Sequence, residues 1–147
     1  MLLRSTVFAV LASVTLPLAA SAATPQDEVT AAYQAWDAAF ATGDAKAIAA
    51  FYTDDATFLP PTHDVIEGPA GVEKFFTGLL GNGVTGHKLE LIEVEGDGSD
   101  ELIVAAAKWS AHGKDASGAP ATFGGVATHV FEKQSDGSLK LKLHTFN

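Results

Sequence analysis

Val29, Tyr33, Trp36 and Phe40 recur at three- and four-residue spacing, which lays one apolar stripe along a helix and leaves Gln34 and Asp37 away from its centre. Thr24-Pro25-Gln26-Asp27 supplies the start: a threonine cap, a proline at the first helical position and an acid in the first turn. Gly43 offers the left-handed residue that closes such a helix. Asp44 then caps a short second one, which carries Ala47, Ile48 and Phe51 inward. Tyr52 to Asp55 leave that helix, and Ala56 to Leu59 read as a strand ended by Pro60 and Pro61. Residues 62–68 form a loop or short edge strand. Gly68-Pro69 opens a third helix with Val72, Phe75, Phe76, Leu79 and Leu80 on one face, stopped by Gly81-Asn82-Gly83.

From there the period changes to two. Strands are predicted over His87 to Glu95, Glu101 to His112, Ala121 to Lys133 and Leu139 to Phe146, with glycine-bearing turns between them. In the first, Leu89 and Leu91 share a face and Ile92 and Val94 share the other. In the second, Ile103, Ala105, Ala107, Trp109 and Ala111 point inward, because Lys108, Ser110 and His112 occupy the opposite face. In the third, Phe123, Ala127, His129 and Phe131 share a face, and Val126, Thr128 and Val130 make a second apolar face that suits a homodimer. In the last, Leu139, Leu141 and Leu143 go inward, Lys140 and Lys142 stay wet, and continued alternation puts His144 and Phe146 outside. Helices followed by a hairpin-joined meander describe an α+β domain.

The stretch from Trp36 to Pro61, WDAAFATGDAKAIAAFYTDDATFLPP, resembles the SnoaL-like and ketosteroid-isomerase-like members of the nuclear transport factor 2-like superfamily, most of all a bacterial group of small secreted domains without assigned function. The resemblance implies a cone-shaped curved antiparallel sheet wrapped around three helices, the cystatin-like α+β barrel, with an interior pocket and often a dimer. In the isomerases an aspartate base near the end of the first strand and a tyrosine on the first helix do the chemistry. Those positions fall here on Pro60 and Trp36. Neither side chain supplies the missing group, which argues against steroid isomerisation by that route.

Composition changes the picture in two ways. Residues 1–23 carry Arg4, an apolar run over Val7 to Ala20 and the small residues Ala20-Ser21-Ala22-Ala23, the pattern of an export signal whose run is shorter than the roughly 20 residues of a membrane span. Its removal leaves a SnoaL-like domain over 24–147 with 8 lysines, no arginine and 18 acids, a net charge of −10. Such a chain is poorly suited to phosphate, nucleic acid or anionic membrane. The absence of cysteine removes disulfides and thiol nucleophiles, so a soluble periplasmic or secreted protein is expected.

Candidate chemistry is sparse. His129, on the aromatic side of its strand, is the best polar group for a pocket, as a base or to orient a ligand. Asp55 of the Asp54-Asp55 pair could share acid/base work, although acids beyond a helix more often cap or turn. His63, beside Asp64, could rim the cavity; His87, His112 and His144 read as surface or dimer-face residues. Histidine spacing suggests no metal site, and no motif calls for a cofactor. Trp36, Tyr52, Phe58, Phe75, Trp109 and Phe131 are the expected walls of an apolar cavity. The leading expectation is a domain binding a small apolar or aromatic molecule. The alternatives are an isomerase- or cyclase-type enzyme that removes a proton next to a carbonyl, and a dimerisation module with a filled core.

Overall fold

The computed structural model describes residues 23–97, 99 and 101–147. The export signal read over 1–23 therefore lies outside the described residues except for Ala23. Among the described residues, no helix is long and apolar enough to cross a membrane.

Two helices come first. Helix α1 (Pro25–Ala41) is closed at its start by a reciprocal capping box, in which the Thr24 hydroxyl accepts from the Asp27 amide and the Asp27 carboxylate accepts from the Thr24 amide. Gly43, at φ 72°, turns the chain, and Asp44 caps α2 (Ala45–Ala49) by accepting from the amides of Lys46 and Ala47. Strand β1 (Tyr52–Leu59) and the two-residue β2 (Ile66–Glu67) lead into α3 (Gly68–Gly81). Long strands β3 (Thr85–Glu95), β4 (Leu102–Lys114), β5 (Pro120–Lys133) and β6 (Leu139–Phe146) complete the chain.

The strands form one curved, unclosed sheet in the order β2-β1-β6-β5-β4-β3. Every neighbouring pair is antiparallel except β1 with β6, which run parallel. Helix α1 lies against β3, and α3 lies against β1 and α2. The expected α+β fold is thus present, with its core between the helices and the inner sheet face. Val29, Tyr33, Trp36 and Phe40 supply the helical side of that core; Ile103, Ala105, Ala107 and Phe131 supply the sheet side.

Two irregularities in the ladder overturn part of the expected alternation. Along β3 and β4, Leu91 pairs with Ala107 while Glu93 pairs with Ala106, so Ile92 is an extra residue. Ile92 is left 53% exposed, and Val94 returns to the core side with Leu89 and Leu91. Along β5 and β6, Val130 pairs with Leu143 but Phe131 with Leu141, so Lys142 is the extra residue. This reverses the far end of β6: His144 is buried and Phe146 packs on the core, whereas Leu143 faces out opposite Val130. A period of two has no memory of an inserted residue, so every face assignment beyond the bulge inverts.

Candidate functional site

A cavity of about 360 Å³ opens between α1 and the inner face of β3 to β6. That is room for a molecule of two or three fused rings, at the small end of ordinary ligand sites. Trp36, Trp109, Phe131 and His129, all expected at a pocket, line it. The structure adds Tyr33, His87, His144 and Phe146 to the same lining.

The other expected site residues sit elsewhere. Tyr52 and Phe58 are fully buried behind the cavity, with Phe58 in edge contact with Phe75 at 4.9 Å between ring centres. His63 lies in an exposed turn at φ 66°, its amide donating to the Pro60 carbonyl. Asp55 is on the outer surface, where it accepts from Lys142 Nζ at 2.8 Å and from the Thr53 hydroxyl at 2.9 Å. Those bonds hold its carboxyl below the usual range, the Lys142 bond most of all. Lys142 faces outward, as alternation predicts, and meets Asp55 away from the cavity.

Two phenol–imidazole pairs stand at the inner end. Tyr33 Oη and His129 Nδ1 are 2.8 Å apart, and Tyr52 Oη and His144 Nδ1 are also 2.8 Å apart. The two imidazoles approach to 4.5 Å between ring centres. Burial pushes His129 down to about 3, with the charge of His87 as a second cause. Burial, then the charges of His129 and His87, pushes His144 well below its ordinary value. Burial also raises both tyrosines, although the indole N–H of Trp36 opposes the shift at Tyr52. All four groups are therefore neutral near neutral pH, and each pair shares one hydrogen bond between a phenol and an uncharged ring. The Trp36 N–H is close enough to Tyr52 to be felt, but it makes no hydrogen bond and is the one fully buried side-chain N or O without a partner among the described residues.

A third histidine lies nearer the mouth. His87 Nδ1 is 2.8 Å from Asp37 Oδ1, and Asp37 Oδ2 accepts from the Leu89 amide at 2.9 Å. Asp37 leaves the apolar stripe of α1 at its edge and so reaches β3, tying the helix to the sheet through both carboxylate oxygens. The indole of Trp109 lies parallel to the His87 ring, at 6.3 Å and 6°, and donates from Nε1 to the carbonyl of Asn147 at 3.0 Å. Sequence reasoning missed His87 because it is the first residue of the predicted strand, among polar neighbours. It missed His144 because of the bulge at Lys142. Among the described residues, no group of three His, Cys, Asp or Glu side chains is set to hold a metal ion.

Residues 33–140 match the model of the SnoaL-like domain family. Among curated proteins there is no match. Solved structures are similar over most of the chain. A candidate calcium/calmodulin-dependent protein kinase II association domain from Xanthomonas campestris is 25% identical, with a TM-score of 0.63, covering 90% of this chain and 96% of that one. A ketosteroid isomerase-like protein from Erwinia carotovora atroseptica is 20% identical, with a TM-score of 0.69 and coverage of 81% and 92%. A candidate aromatic ring hydroxylase from Novosphingobium aromaticivorans is 22% identical, with a TM-score of 0.66 and coverage of 82% and 85%.

Proposed function

The chain belongs to the SnoaL-like domain family, and from that premise we propose that it binds a small apolar or aromatic molecule inside the cone, without turnover. The observation that carries this reading is the open cavity of about 360 Å³ walled by Trp36, Trp109, Phe131 and Phe146. Rigid aromatic walls hold flat apolar molecules at little entropic cost. Proton abstraction by His129 has weaker support. Its imidazole is pushed down to about 3 and its Nδ1 is engaged by Tyr33, so it is a feeble base at neutral pH. Asp55 lies outside the cavity altogether.

The proposal includes export after cleavage near Ala23, and a homodimer through the outer sheet face, where Leu102, Val104 and Val126 are 46%, 41% and 48% exposed. Native mass spectrometry of protein purified from the periplasm or medium tests all three parts. The expected result is a dimer of chains that lack the leader, carrying a small molecule lost on denaturation. Bare, full-length monomers, with no uptake of aromatic compounds on incubation, would refute the reading.

A further inference from the structure

We propose that His87, oriented by Asp37, is a hydrogen-bond acceptor that makes the cavity select hydroxylated aromatic molecules over their unsubstituted or O-methylated counterparts. The proposal rests on the reading of the cavity as a ligand site and adds the chemical class of the ligand. Asp37 can only accept, and it takes His87 Nδ1 at 2.8 Å and the Leu89 amide at 2.9 Å. The proton of the neutral imidazole is thereby fixed on Nδ1, and Nε2 carries a lone pair. Nε2 has no hydrogen-bond partner among the described residues, on a ring that lines the cavity and keeps 12% of its side chain exposed.

The setting of this acceptor is apolar. Its ring is packed by Trp36 at 4.6 Å, Phe40 at 5.0 Å and Trp109 at 6.3 Å between centres, so rotation cannot carry Nε2 to another partner. The other two imidazoles of the cavity are more deeply buried, at 1% exposure for His129 and 7% for His144, and each has its Nδ1 taken by a tyrosine. Lys114 is the one cationic side chain of the lining, and it is exposed. The cavity thus offers little to a carboxylate or phosphate, and of its three imidazoles His87 is the one whose tautomer is set by a partner that can only accept. A phenolic O–H satisfies Nε2, whereas an ether or a bare arene strips its water and returns nothing.

The test uses 2-naphthol, 2-methoxynaphthalene and naphthalene as probes, with affinities measured by equilibrium dialysis. Wild-type protein should bind 2-naphthol about tenfold more tightly than either other probe, the worth of one matched hydrogen bond. His87→Phe should equalise the three affinities while still binding the arenes. Asp37→Asn, whose amide can donate to Nδ1 and move the ring proton to Nε2, should remove or reverse the preference. A merely structural role for Asp37 would weaken all three probes together. Equal affinities in the wild type, or a preference that survives His87→Phe, would overturn the assignment and leave the aromatic site standing. If none of the probes binds, both fall.

Discussion

Mild acid should weaken the fold well before its carboxylates are protonated, and His129 sets the amount. Its side chain is 1% exposed, and burial, with the charge of His87, takes it from 6.5 down to about 3. Between those two values the unfolded chain binds a proton at this position and the native chain does not. Stability is thus fully present above 6.5 and is lost as pH falls toward the native value, at about 1.4 kcal/mol per pH unit. From 6.5 to about 4.5 the loss from this residue alone is roughly 2 kcal/mol, a large part of a small domain's margin. His144 is shifted in the same direction by the same cause and steepens the fall. The exposed carboxyls of Asp27, Asp55, Asp115 and Asp136 are lowered from 3.8 and that of Glu90 from 4.5, so their contributions are lost below this window. The assay is urea unfolding, followed by the fluorescence of Trp36 and Trp109, at several pH values from about 7 to about 4.5, in the wild type and in His129→Gln. The wild type should lose at least the amount worked above, and the variant should lose less by one histidine's share. A flat wild-type curve, or an equal fall in the variant, would refute the claim that this imidazole is held neutral by burial.

Tyr33→Phe leaves His129 Nδ1 buried without its partner, and should lower stability by about 1–3 kcal/mol in the same urea assay. Asp55→Asn removes an exposed partner of Lys142 outside the cavity, and should change neither the thermal midpoint nor the affinity for an aromatic probe beyond measurement error. Gly125→Ala places a methyl group against the carbonyl of Asn147, which accepts from Trp109 Nε1. The displaced terminus should release that indole, seen as a changed Trp109 emission and a lowered thermal midpoint.

The helices were legible because their signals are local. Thr24, Pro25 and Asp27 start α1, Gly43 and Asp44 divide it from α2, and both apolar stripes lie within about four turns of chain. The inward faces of β4 and β5 were legible for the same reason, since no extra residue interrupts the alternation that places Ile103, Ala107, His129 and Phe131. The family likeness followed from one such stretch, Trp36 to Pro61.

What only the tertiary structure decided is where that alternation breaks and which distant groups meet. Ile92 and Lys142 are ordinary residues at strand positions, and nothing in their neighbours marks them as bulges. The one at Lys142 brought His144 and Phe146 to the cavity. The polar pairs of the site join residues 50, 92 and 96 positions apart, Asp37 with His87, Tyr52 with His144 and Tyr33 with His129. The sequence by itself determined the elements and the family, because propensity and capping act within a few residues. The site depended on strand register and on burial, which belong to the folded sheet and to no segment of it alone.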